Sequence, residues 1–371
     1  MRAFNRLERV IPEWVRGRTI YHLHALGAAG GRGLPALTGW LDHVAGLGAG
    51  AVLLTPIHSS STHGYDTVDA FALDERMGSD ADLDLFIAQC HDRDLRVLFD
   101  GVFNHVGRAF PRTDWLSGQV WEGHDELPTL DHDLPEVLEW ATAVARHWLD
   151  RGGDGWRFDV AYSIPRGFLA ELTAGIKATH PDAFLFGEMI AGDFAGLVGS
   201  TSLDAATAYE LYKAIWSALN DANMWELAWA LQRHAALAAE FPPVTFIGNH
   251  DVSRITSQLR DPRHLELALA VLFTVPGIPC VYYGDELGWT GKKTTGVGGD
   301  DAIRQPLPAE PAEVQQTDQH RRWIGFRRSH PALTDASLEV LDKTNGTIAY
   351  RVGDVVVRLD VDGATATVDG G

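Results

Sequence analysis

Cysteine is almost missing from this 371-residue chain. Cys90 and Cys280 are the only two, and they fall in different predicted elements. A disulfide framework is thereby excluded, as is any zinc site built on paired thiolates. Cations are also in short supply: 31 Lys and Arg face 50 Asp and Glu, a formal net charge of −19. Such a surface repels phosphates, which argues against nucleic acid and against an anionic membrane as partners. No apolar run reaches the length that crosses a bilayer. The longest, "LALAVLFTVPGIPCVYY", is broken by Pro276 and Pro279. The first residues, "MRAFNRLERVIPEW", lack the apolar stretch a signal peptide needs, which predicts a cytoplasmic protein. No G-x-G-x-x-G follows the first predicted strand, so an open dinucleotide-binding sheet is the weaker structural alternative.

What is present is alternation. Short apolar runs begin at Thr19, Ala51, Arg96, Gly155, Ala183, Thr201, Val244 and Ile278. Stretches of helical period lie around 34–47, 82–94, 135–150, after Pro165, and over 209–234, 262–274 and 317–329. Only a short connection is expected between the fifth run and the one near Thr201. About eight strand–helix units suit a (β/α)8 barrel, an α/β fold of about 250 residues plus insertions. The boundaries follow: residues 1–103 and 135–330 form the barrel, 104–134 a small inserted subdomain, and 331–371 a β appendage. In the appendage the apolar residues alternate in the β manner, with turns at Asn345–Gly346 and Asp362–Gly363.

In a parallel barrel, active sites sit where strands end. The third strand ends in "LFDGVFNHVG", carrying Asp100, Asn104 and His105. The fourth ends in "GWRFDVA", with Arg157 and Asp159; the fifth in "FLFGEM", with Glu188; the seventh in "FIGNHD", with Asn249, His250 and Asp251. Any one of these could be a helix cap or a structural hydrogen-bond partner. Four ionisable strand ends together predict a site. "HGYDTVD" is readable as a plain turn with Tyr65 at the rim, and Trp121 and Trp289 as packing residues rather than sugar platforms.

These four strand ends resemble, in residue type, spacing and order, the conserved regions of the alpha-amylase family, glycoside hydrolase family 13. "HGYDTVDAFALDERMGS" and "GIPCVYYGDELGWTG" resemble two further stretches of that family, and "LPTLD" resembles its subdomain-B motif in the neopullulanase and cyclomaltodextrinase branch. The resemblance covers about residues 18–330. It implies a retaining enzyme that cleaves α-1,4-glucosidic bonds in malto-oligosaccharides or related α-glucans. Asp159 would be the nucleophile, Glu188 the general acid/base and Asp251 the third carboxylate. His105 and His250 would bind sugar hydroxyls, Tyr65 would stack beneath the ring, and Arg157 would keep Asp159 ionised. Asp66 and Asp100 would be structural or subsite supports.

The chemistry asks for the same set, because an oxocarbenium-like transition state needs one carboxylate to attack and another to protonate the leaving oxygen. Two other outcomes share the fold: transglycosylation or isomerisation through the same intermediate, and a non-catalytic sugar-binding relative, which would not need all three carboxylates.

The resemblance also bears on cofactors. In calcium-dependent members, an Asn at the position of Asn104 joins oxygens from subdomain B. Here that segment is only about 30 residues, with Asp131 and Asp133 as the available carboxylates. The expectation is that no cofactor is required and that calcium at Asn104, if bound, stabilises only. A short subdomain and few remote aromatic platforms further predict that short or cyclic maltodextrins are better substrates than starch.

Overall fold

The computed structural model describes residues 11–296 and 298–370. Eight short parallel strands form its centre: β1 Ile20–Leu23, β2 Ala51–Leu54, β3 Arg96–Gly101, β4 Gly155–Phe158, β5 Phe184–Gly187, β6 Ala205–Ala206, β7 Val244–Phe246 and β8 Ile278–Tyr282. Nearly every strand residue is buried, as expected for strands covered on both faces. Hydrogen bonding runs β6-β5-β4-β3-β2-β1-β8-β7. A parallel bridge between Thr207 and Val244, with Ala208 N–H donating to Val244 O at 2.9 Å, joins the two ends. The sheet is therefore a (β/α)8 barrel, as the alternation predicts.

The helices outside follow from their sequences. Pro135–Asp150 starts with Pro at its first position and buries Val137, Ala141, Val144, Ala145 and Trp148, one apolar stripe of helical period. Asp80–His91 starts at a capping box in which Ser79 and Asp82 satisfy each other's backbone N–H groups. Two expectations are corrected. The stretch 34–47 is two helices, Gly33–Thr38 and Leu41–Leu47, interrupted at Gly39–Trp40. The connection after β5 is not merely short: it holds the helix Phe194–Ser200, capped by Asp193, whose carboxylate accepts from Gly196 N–H.

Within 104–134, Leu116–Val120 pairs antiparallel with Pro128–Leu130. The second of these also bridges to the chain beyond β3, His105 opposite Thr129. "HGYDTVD" is more than a turn, since it opens the seven-residue strand Thr67–Leu73, paired with His58–Ser60. The C-terminal strands β9 Leu338–Lys343, β10 Thr347–Val352, β11 Val355–Asp360 and β12 Thr365–Asp369 form an antiparallel sheet in sequence order. Its buried residues, among them Ile348, Tyr350, Val357 and Leu359, face the barrel. Tyr350 OH lies 2.7 Å from Thr274 Oγ1 at the end of the helix Leu265–Thr274, which is buried all round except at Glu266.

Candidate active site

Register places the charged residues. On adjacent parallel strands, Asp100 of β3 pairs with Arg157 of β4, and Arg157 with Phe186 of β5. Paired residues point to the same side of a sheet, so Asp100 and Arg157 share one layer at the C-terminal end of the barrel. Two residues on, the strand period returns Asp159 and Glu188 to that side, one layer higher. The spacing Arg-x-Asp is thus a consequence of strand geometry.

Arg157 is the hub. One guanidinium nitrogen, Nη1, lies 2.6 Å from both carboxylate oxygens of Asp100 and 3.2 Å from Asp159 Oδ1. The other, Nη2, is 2.8 Å from Glu188 Oε1. Burial lowers the Arg157 pKa, but the surrounding carboxylates outweigh it and hold the group above the usual guanidinium range. Arg157 lies beside Asp159, as the resemblance implies. Its shorter contacts go to Asp100 and Glu188. Burial pushes the Asp159 carboxyl well above the ordinary range; Arg157 opposes this, while Glu188, Asp100 and Asp251 add to it.

Glu188 is held from three directions. Its Oε1 also accepts from Tyr209 OH at 3.0 Å, and its Oε2 from the backbone N–H of Val160 at 3.1 Å. Val160 follows Asp159 with φ of +41°, a left-handed conformation that β-branched residues avoid. Asn249 donates to Tyr209 OH at 2.9 Å and accepts from the backbone N–H of Asp251 at 2.8 Å, linking Glu188 to the backbone of the third acidic residue. Burial raises the pKa of Asp251, but His250, Arg304 and Arg157 together hold it well below the usual carboxylate range. His250 Nε2 is 3.0 Å from Asp251 Oδ2, and Arg304 Nη2 is 3.2 Å from Oδ1.

Rings form the walls. Tyr65 lies parallel to His250 at 5.5 Å, with its OH 2.6 Å from His250 Nε2 and donating to Asp100 at 3.0 Å. Opposite, His105 stacks on Trp121, and Trp121 on His124, at centroid distances of 5.1 and 5.4 Å. Burial pushes the His105 pKa down to about 3, so that imidazole is neutral.

A cavity of about 470 Å³ opens between these walls. Of the predicted residues it exposes Tyr65, His105, Asp159, Glu188, His250 and Asp251. Arg157 and Asp100 lie beneath its floor. Asp66 is not part of the lining: its carboxylate accepts from Thr62 Oγ1 at 2.8 Å and His63 N–H at 3.1 Å, closing the turn that presents Tyr65. Trp289 is a packing residue, edge-on to Tyr283 and beside Arg254. Trp121, read as packing, instead forms a wall. The sequence reading also missed Tyr209, Tyr162, Ile190 and Arg304. Tyr209 reads as the first residue of a helix, and Arg304 belongs to a loop without periodicity, so neither carries a local signal.

The Asn104 side-chain nitrogen is 3.2 Å from His105 Nδ1, and the Asn104 backbone carbonyl accepts from Leu130 N–H. Asp131 caps the N–H of Asp133 at 3.1 Å. Among the described residues, no three His, Cys, Asp or Glu side chains gather into one cluster. No described helix is long and apolar enough to cross a membrane.

Comparison with known proteins agrees with this geometry. The family described as "Alpha amylase, catalytic domain" matches residues 30–116 and 119–332. A cyclomaltodextrinase from Bacillus sp. is 31% identical over 84% of this chain, which spans 61% of that relative's length. A 4-alpha-glucanotransferase from Thermotoga neapolitana is 27% identical, over 86% of this chain and 88% of the relative. Among solved structures, the cyclic alpha-maltosyl-(1→6)-maltose hydrolase from Arthrobacter globiformis, in complex with maltose, superposes with a TM-score of 0.83. It is 26% identical, and the match covers 97% of this chain and 98% of that one. With a family match over most of its length and the family's fold around three converging carboxylates, this chain belongs to the alpha-amylase family of glycoside hydrolases.

Proposed function

We propose that the protein is a retaining hydrolase of α-1,4-glucosidic bonds in malto-oligosaccharides. The observation that carries this reading is Glu188, fixed by Arg157, Tyr209 and Val160 N–H beside Asp159, with both carboxylates open to one cavity. Asp159 attacks the anomeric carbon as the glycosidic C–O bond breaks, and the leaving oxygen takes the proton of Glu188. Water then attacks the glycosyl ester, Glu188 accepts its proton, and Asp159 is released, leaving the anomeric configuration retained. The productive form has Asp159 ionised and the proton on Glu188. Asp251 and His250 hold hydroxyls of the same sugar, with Tyr65 against its face.

The substrate class rests on the named relatives, which act on maltodextrins and a cyclic maltosyl-maltose. Short or cyclic maltodextrins should exceed starch in kcat/KM per accessible bond. Two buried thiols that form no disulfide fit a cytoplasmic setting. Calcium is dispensable or at most a stabiliser in this reading: chelation should leave activity unchanged and at most lower Tm. Loss of activity restored only by calcium would refute that.

Mass spectrometry of peptides after reaction with a fluorinated α-glucosyl fluoride tests the mechanism, with label expected on Asp159. Proton NMR of the first product should show the α-anomer, and a β-anomer would exclude double displacement. The glucanotransferase relative favours a second reading, in which a sugar hydroxyl replaces water. Products longer than maltotriose, formed from maltotriose alone, would establish it.

A further inference from the structure

Of the twelve tryptophans, only Trp225 and Trp229 are exposed, at 52% and 58%. They stand four apart on the helix Met224–Ala238 and therefore share one face. Each has a cation over its ring, Lys343 Nζ at 4.9 Å from Trp225 and Arg233 Cζ at 4.7 Å from Trp229. Trp225 is further fixed by the C-terminal sheet, since its indole N–H donates to Asn345 Oδ1 at 3.1 Å. The backbone carbonyl of Asn345 accepts from Met224 N–H at the start of the same helix. Held in this way, the two indoles lose little freedom when something binds.

A groove that adjoins the catalytic cavity runs along the same helix and reaches Arg233, the cation over Trp229. Ile190, half exposed, and Tyr209 line both that cavity and the groove, whose volume is about 630 Å³. We propose that this groove and the two tryptophans form a remote binding track for a linear α-glucan chain whose end occupies the catalytic cavity. An ion pair of Arg233 with Glu210 borders the patch, and Glu226, paired with Lys213, lies three residues before Trp229. Two isolated rings among charged side chains fall short of the continuous apolar area, on the order of 1,200–2,000 Å², that a stable protein partner buries. They suit a neutral polyhydroxylated chain, whose C–H faces stack on indole while its hydroxyls meet the charged rim.

The inference rests on the proposed substrate class, and its test separates the two. Binding of maltoheptaose is measured by titration calorimetry on Asp159→Asn protein, so that ligand is not consumed, with and without Trp225→Ala plus Trp229→Ala. About tenfold weaker binding is expected, largely rescued by Tyr at both positions. In the otherwise unaltered enzyme the pair should raise KM for maltoheptaose while leaving kcat/KM for maltotriose unchanged. Unchanged maltoheptaose affinity overturns the track, whatever the enzyme hydrolyses. So does a shift in sedimentation from dimer to monomer without loss of sugar binding, since that makes the face a self-association surface. Weakened binding in a protein that cleaves no glucan would keep the track and discard the hydrolase reading.

Discussion

Two arginines are buried near the C-terminal end of this barrel, and their surroundings differ. Arg254 is fully buried and spends its donors on protein acceptors: Tyr283 O at 2.8 Å, Ile303 O at 3.0 Å, Gln305 Oε1 at 2.8 Å and Asp285 Oδ1 at 2.9 Å. Tyr282, Tyr283 and Trp289 enclose it with their rings. One cation meets one carboxylate, and carbonyls supply the remaining acceptors. Arg157 instead meets three carboxylates, so its cluster carries excess negative charge, two members of which face a cavity. A balanced cluster closed by backbone is built for stability. An unbalanced one open on one side is built to meet a developing cation, which is what an oxocarbenium-like transition state presents.

The sharpest way to break this comparison is to neutralise one member of each cluster. Asp159→Asn or Glu188→Gln should lower turnover by at least about a thousandfold, with Tm within a few degrees of the parent. Arg254→Met should do the reverse in kind. Removing one partner of a buried pair leaves Asp285 uncompensated and should cost about 3–5 kcal/mol of stability, read by urea unfolding. If Asp159→Asn keeps near-normal rates, or Arg254→Met is as stable as the parent, the division between the two clusters is wrong.

The sequence could show one half of this contrast. The strand ends were legible because period two and the apolar runs around Asp100, Arg157 and Glu188 fix which side each residue faces. Arg254 was invisible as a charge centre, since its partners Tyr283, Ile303 and Gln305 come from loops whose approach no local pattern encodes. The same holds for Tyr209, which reaches Glu188 from the start of a helix, and for Trp121, whose role depends on stacking against His105 across the inserted segment. Asp66, left open between structural and subsite support, takes the structural role, because its hydrogen bonds stay within its own turn. Register between strands and the destination of loops are long-range facts, settled by packing rather than by neighbours in the chain.

A smaller effect sharpens the comparison through pH. Burial pushes the Asp285 pKa up to about 7 despite Arg254, and its Oδ2 lacks a hydrogen-bond partner. A carboxyl whose folded pKa is raised binds its proton more tightly in the folded state. Its contribution to stability therefore falls as pH rises from about 4 to about 7, and is flat on either side. Asp285→Asn removes this titration. The stability of the variant relative to the parent should rise across that window by about 2–4 kcal/mol, measured by denaturant unfolding at pH 4.5 and 8. A difference independent of pH would show that Asp285 stays ionised throughout, and that its cluster is balanced by charge alone.

The smallest expected change lies in the backbone between Asp159 and Glu188. Val160 is buried with φ of +41°, where a β-branched residue is strained by about 1–2 kcal/mol. That conformation aims its N–H at Glu188 Oε2, 3.1 Å away. Glycine at this position removes the strain but also the burial of a valine side chain, about 1.5–3 kcal/mol, and it loosens the unfolded chain. The losses win, so Val160→Gly should be less stable by about 1–2 kcal/mol. If the strained N–H orients Glu188, the same variant should lose about tenfold in kcat, because a freer backbone no longer holds the acid against Arg157 and Tyr209. Val160→Ala separates the two effects: it loses most of the packing but keeps the restricted backbone, so its stability should fall while kcat stays near the parent value. Equal kcat losses in both variants would mean that the valine side chain shapes the cavity directly, and that the strain at this position has no part in holding the acid.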